Sequence, residues 1–219
     1  MWSQQDFITT IVAYIPVQLS LSVHEWAHAR VAFALGDDTA ARQGRLTLNP
    51  FVHLDLMGTI IPLLGIPFGW AKPVPVNPAN FRSDVPLRRG MMLTAAAGPL
   101  SNLCLSILCC ALLAAIARFA PLTLAEARGL QPLLGYAVIV NLALAAFNLL
   151  PVYPLDGSRI VDGIVPEGWR AAWERMAQFS PFILLMIILT LPRMHYNLFG
   201  WVHWIGTWML RLALGIQPR

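Results

Sequence analysis

HEWAH, running from His24 to His28, follows an apolar run from Phe7 to Val23 and is continued by Ala29, Val31, Ala32, Phe33 and Leu35. Two histidines four residues apart on a helix are offset by about 40° and about 6 Å, so both imidazoles reach one metal ion from one face. The glutamate between them can act on a water polarised by that ion. With five His in 219 residues, chance almost never assembles this spacing. The apolar flanks place the motif in a membrane helix, and that placement decides the fold.

The rest of the chain agrees. It is 57% hydrophobic and 12% charged, with a mean hydropathy of +0.61, whereas soluble proteins carry about 25% charged residues. The fifteen Lys and Arg give a net charge of +4 but are scattered at the ends of apolar runs. That pattern fits membrane topology and argues against nucleic acid as a partner. Cys104, Cys109 and Cys110 share one apolar run without CxxC spacing and read as small buried residues. No basic region precedes the first apolar run and no cleavage site follows it, so no removable signal peptide is expected.

Crossing about 30 Å of hydrocarbon takes roughly 20 helical residues. Spans are expected near 7–35, 90–118, 132–152, 176–191 and 197–216. The fourth is short, so it must borrow residues from Trp173 to Phe179 or form a hairpin with the last helix, broken at Pro192. The expectation is an all-α polytopic membrane protein of about five transmembrane helices, forming a single domain over 1–219. The segment from Gly36 to Arg89 is rich in Pro and Gly, including GTIIPLLGIPFGW at 58–70 and KPVPVNP at 72–78. Proline removes amide donors and disfavours helix in its predecessor, so this long loop is expected to hold short strands and a re-entrant piece, Thr59 to Trp70. An edge strand there would suit an unwound peptide.

Positive residues concentrate in the 36–90 loop, with Arg42, Arg45, Lys72, Arg82, Arg88 and Arg89, and again after Asp156. This puts the amino terminus outside and the 36–90 loop in the cytosol. His24 then lies after about 25 Å of descent, near the cytosolic side of the core. The third span also runs inward and delivers NLLPVYPLDG, Asn148 to Gly157, to the same depth. A catalytic zinc wants three protein ligands and an open position for water, and Asp156 is the natural third ligand. Pro151 and Pro154 would unwind the helix end, and Gly157 would let the backbone leave the turn.

HEWAH in a first core helix with NLLPVYPLDG in a third resembles the site-2 protease family of intramembrane zinc metalloproteases, of compact prokaryotic type. AAAGPLSN at 95–102 and GWAKPVPVNP at 69–78 resemble further stretches of that family, so the likeness covers nearly the whole chain. The resemblance implies His24, His28 and Asp156 as ligands of Zn2+ and Glu25 as catalytic acid/base. It implies Asn148 as the group polarising the scissile carbonyl or its oxyanion, although Asn148 alone reads equally well as an interhelical hydrogen-bond partner. The implied activity is cleavage of a transmembrane or membrane-tethered protein within or near its membrane segment. The implied location is a bacterial plasma membrane, with lipid as surroundings and the site toward the cytosol. No PDZ-like insert, no nucleotide-sensing carboxy-terminal domain and no extra helix before the HExxH helix are expected, so regulation by such attached domains is not expected either.

Plainer roles suit the remaining polar residues. His53 and Asp55 read as supporting the metal ligands from behind or as stabilising a turn, because a fourth ligand would close the site. His195 and His203 read as packing or interfacial, Asn102 as packing glue beside Gly98 and Pro99, and Trp169, Trp173, Trp201, Trp204 and Trp208 as interfacial anchors. Two other functions use the same cluster, a divalent-metal transporter and a noncatalytic zinc-binding scaffold. The first should show repeated halves, which are not evident, and the second has no need of Glu25.

Overall fold

Proline and polarity divide the apolar sequence into nine α-helices among the residues that the computed structural model describes, 4–63, 69–120, 129–190 and 200–216. In chain order they are α1 Gln4–Ala34, α2 Thr39–Arg42, α3 Pro50–His53, α4 Leu56–Leu63, α5 Leu87–Phe119, α6 Leu130–Asn148, α7 Asp156–Ile164, α8 Arg170–Thr190 and α9 Gly200–Ala213. The long helices α1, α5, α6, α8 and α9 fall on the five segments expected to span.

Two of them, α5 and α6, are long and apolar enough to cross a membrane. The core helix of a soluble protein would bury such a surface, whereas α5 leaves Leu100, Ile107, Leu108, Leu112 and Phe119 exposed. The other three have physical reasons for falling short. Helix α1 carries Gln18, Ser20, Ser22, His24, Glu25 and His28 along its length. Helix α8 has three charged residues in its first six, and it includes Trp173 to Phe179. Helix α9, at 14 residues, reaches about 21 Å. The expected break at Pro192 lies outside the described residues.

The Pro/Gly-rich loop departs from expectation. Among the described residues no strand forms in it; its β-structure is one isolated antiparallel bridge, Leu54 to Ala71. Pro73, Pro75 and Pro78 cannot donate to a ladder, so pairing ends where it starts. Short helices take the place of strands because their ends are capped. Asn49 accepts from the Phe51 amide ahead of α3, and Asp55 accepts from the Gly58 amide at the start of α4. Asn77 accepts from the Ala79 amide at a 3-10 turn, Pro78–Asn80. The first part of the expected re-entrant piece is α4, and 64–68 lie outside the described residues.

The core of the molecule is α5. It packs against α1 and α6 on its sides and against α7 near its amino-terminal end, and α9 lies across α5 and α6. Helix α1 ends at Gly36, whose φ of 112° reverses the chain. The following residue, Asp37, is buried at 1% exposure and gathers the loop. Its carboxylate accepts from the Thr39 hydroxyl and amide, the Asn77 amide at 2.7 Å and the Asn80 side chain. Burial alone would raise the Asp37 pKa, but these hydrogen bonds outweigh it and hold the carboxyl below its ordinary value.

Candidate metal centre

His24 and His28 project from α1 toward α5, where a small residue is required opposite them. A Cβ on Gly98 would lie 2.4 Å from His28 Nε2 and 2.6 Å from His24 Cε1. The third group comes from the break after α6. Pro151 and Pro154 keep 149–155 from continuing that helix, and α7 restarts with Asp156 as its first residue. Gly157 serves close approach here, not the freedom of a turn. It is helical, and a Cβ on it would sit 2.3 Å from the Leu149 carbonyl oxygen, so only glycine lets α7 tuck beneath the end of α6.

His24, His28 and Asp156 are thereby brought together, the one such group among the described residues. Their converging atoms form a near-equilateral triangle. His24 Nε2 lies 3.0 Å from His28 Nε2, and Asp156 Oδ2 lies 3.1 Å and 3.3 Å from the two. The far ring nitrogens are engaged, with His28 Nδ1 2.7 Å from the Thr94 carbonyl oxygen and His24 Nδ1 2.7 Å from Asn102 Oδ1.

Glu25 lines the same cavity, of about 460 Å³, together with Asn148, Trp70, Val74 and Arg159. Its Oε2 accepts from the Val74 amide at 2.7 Å. Residues 72–75 are fixed by other hands as well. The Lys72 amide donates to the His53 carbonyl, and Arg45, 8% exposed, donates to the carbonyls of Lys72 and Pro73, both at 2.6 Å. Val74 and Lys72 have thus committed their N–H groups, and Pro73 and Pro75 have none. An edge strand for substrate cannot use the donors of this stretch.

A profile of peptidase family M50 matches residues 116–191. YwhC of Bacillus subtilis, named as a zinc metalloprotease, is 41% identical over 192 residues, 86% of this chain and 85% of its own length. The chain belongs to peptidase family M50. Rip2 proteins, also named as zinc metalloproteases, are similar too. That of Mycolicibacterium smegmatis is 30% identical over 200 residues, covering 90% of this chain and 73% of its own, and that of Mycobacterium tuberculosis is 28% identical over 201 residues, covering 91% and 73%. No solved structure matches.

This M50 peptidase is accordingly a zinc metalloendopeptidase, and its donor set fits the metal. The Thr94 carbonyl can only accept, so His28 Nδ1 carries the proton and Nε2 presents a lone pair. Asp156 Oδ2 is buried and has no hydrogen-bond donor. Lone pairs facing one another at 3.0–3.3 Å repel unless a cation lies among them. Tetrahedral zinc with bonds of about 2.0–2.1 Å separates its ligands by about 3.3 Å, close to these edges.

The other sequence candidates sort themselves by position. Asn148 ends α6 and lines the cavity, with Nδ2 donating to the Leu144 carbonyl of its own helix. His53 is fully buried and pairs with the Thr47 carbonyl, a turn-stabilising role, as does Asp55 at α4. His203 is exposed on α9, and His195 lies outside the described residues. Asn102, expected as packing glue, is fully buried and also lies 2.7 Å from His24 Nδ1 through its Oδ1. Asn141 and Thr94 have no role in the sequence reading, and Arg45 enters it only as a positive charge of the loop. An amide in the middle of an apolar helix was the signal that could have found Asn141.

Proposed function

We propose that this M50 peptidase cleaves a transmembrane or membrane-tethered protein within or beside its membrane segment. Its single domain has about five spans, its amino terminus outside and its site toward the cytosolic side of a bacterial plasma membrane. His24, His28 and Asp156 are the zinc ligands, Glu25 is the acid/base, and Asn148 polarises the scissile carbonyl. The observation carrying this reading is the buried His24–His28–Asp156 triangle, set between helices whose outer faces are exposed and apolar.

Zinc bound there would supply a Lewis acid and water made acidic near neutral pH. Glu25 borders the cavity with one carboxylate oxygen held by the Val74 amide, leaving the other to take a proton from water and return it to the leaving amine. Asn148 has a second N–H on Nδ2 beyond the one given to Leu144, and this hydrogen is what it would offer a substrate oxygen. A helical substrate must unwind to enter, since its carbonyls are otherwise in helix hydrogen bonds. Membership of M50 and an intact Glu25 favour this over a transporter or a structural zinc scaffold.

The test is reconstitution in lipid vesicles with a reporter transmembrane substrate, comparing wild type with Glu25→Gln. Zinc is retained and cleavage falls by about 10²–10⁴-fold, the usual reach of a general base. Cleavage that survives chelation, or metal flux without cleavage, overturns the proposal.

A further inference from the structure

Ser20 on α1, Asn102 on α5 and Asn141 on α6 meet where the three helices cross, with exposures of 2%, 0% and 0%. Their hydrogen bonds form one chain whose direction is dictated by backbone carbonyls, which can only accept. The Ser20 hydroxyl donates to the Pro16 carbonyl at 2.7 Å, so its oxygen is left to accept from Asn141 Nδ2 at 2.8 Å. Asn141 Nδ2 also donates to the Ala137 carbonyl at 2.8 Å, which turns Asn141 Oδ1 toward Asn102. Asn102 Nδ2 donates to that Oδ1 at 2.8 Å and to the Ser20 carbonyl at 3.2 Å. Asn102 therefore has no orientation left but to present Oδ1 to His24 Nδ1, at 2.7 Å.

We infer that Asn102, oriented by Asn141 and Ser20, is a positioning residue of the zinc centre that holds His24 in its Nδ1–H tautomer with the Nε2 lone pair aimed at the metal. An imidazole in the other tautomer would turn an N–H toward the ion and could not bind it. Outer partners of this kind fix the ring and raise its donor strength. His28 receives the same service from the Thr94 backbone, which no side-chain substitution removes. His24 is thus the adjustable ligand, and the adjustment runs to α6, the helix that leads into the Asp156 segment. Docking of α6 and readiness of His24 are one event. The inference rests on the reading of His24 as a zinc ligand.

A polar clasp that only packs three helices would give different results, and two substitutions separate the cases. With the full chain in detergent micelles, zinc affinity is measured by competition with a chelating dye. Asn102→Leu, close in size but without an acceptor, binds zinc about 10–100-fold more weakly. Asn102→Asp keeps an acceptor for the His24 Nδ1 proton but sets its second oxygen against Asn141 Oδ1 and the Ser20 carbonyl, so it binds zinc more weakly than wild type yet more tightly than Asn102→Leu. If Asn102 merely packs, the order reverses, since leucine suits an apolar crossing and a buried carboxylate does not; that order overturns the inference. Should Asn102→Leu fail to fold, Asn141→Leu carries the test, with affinity several-fold weaker, and an unchanged affinity overturns the inference. His24→Ala separates the two levels of the argument. Wild-type affinity in His24→Ala would remove the ligand reading itself, whereas zinc lost there but kept in Asn102→Leu would remove only the role of Asn102.

Discussion

Around His24, His28 and Asp156 the supports come from helices, whereas around Glu25 they come from a loop. The histidines are held by Asn102 and the Thr94 carbonyl on α5, and Asp156 by the tuck of α7 under α6. Glu25 leaves the same helix as the histidines but is met by the Val74 amide, from a stretch fixed by Arg45, His53 and Asp37. Buried polar groups among apolar helices need partners, and both histidines of the helical half find theirs on α5. The loop half is held largely by side chains of the loop itself, Arg45 and Asp37, bonded to backbone groups of 72–77. The difference teaches that metal retention and turnover have separate supports in this peptidase and should fail separately.

The largest effect is expected from the helical half. Asp156→Ala removes the one carboxylate from the triangle and leaves two neutral imidazoles to hold a dication. Zinc affinity falls by more than the roughly 10–100-fold expected of an outer partner, and proteolysis is lost with it. Dye competition and metal analysis of the purified chain check this, and unchanged affinity would exclude Asp156 from the site. The loop half should break differently. Arg45→Met deletes two hydrogen bonds of 2.6 Å to the carbonyls of Lys72 and Pro73. Hydrogen bonds to a charged group contribute about 1.5–3 kcal/mol, part of which orders the Val74 amide against Glu25, so cleavage falls about tenfold. Zinc affinity stays as in wild type. A parallel loss of zinc would show that the two halves are coupled after all.

Where the signal was local, the sequence could be read. HEWAH carries its spacing within about one turn of helix, the long helices announce themselves as apolar runs, and Asp156 stands out as a carboxylate after an apolar segment. Asn102 and Asn141 are 39 positions apart and meet only because α5 and α6 pack face to face on α1; nothing in either one's neighbourhood points to the other. The 36–90 loop misled for a related reason. Its prolines do argue against long helices, but Asn49, Asp55 and Asn77 cap short ones, and a proline that opens a helix costs it nothing at that position. Arg45 was counted only as a topological charge, yet its guanidinium is turned inward to backbone carbonyls 27 and 28 residues away.

The smallest effect tests the far anchor of the loop, at Asp37. Its carboxyl titrates below the ordinary value of 3.8 because the charged form accepts hydrogen bonds from Thr39, Asn77 and Asn80. A group whose pKa is lower folded than unfolded stabilises the fold above its unfolded value and loses that contribution as pH falls through the folded value. The wild-type loop should therefore be steady from neutral pH down to about pH 4 and weaken below it. Asp37→Asn keeps the size and one acceptor but removes the charge, so it lowers the melting temperature at pH 7 by about 2–4 °C. The two proteins converge as pH falls through the folded value of Asp37, where protonation makes the wild-type group neutral as well. Melting curves at pH 7, 5 and 3 in detergent measure the gap. A gap that widens toward acid would mean that the carboxyl, not the carboxylate, is what the loop binds, and would detach Asp37 from the chain of contacts leading through Asn77 and Val74 to Glu25.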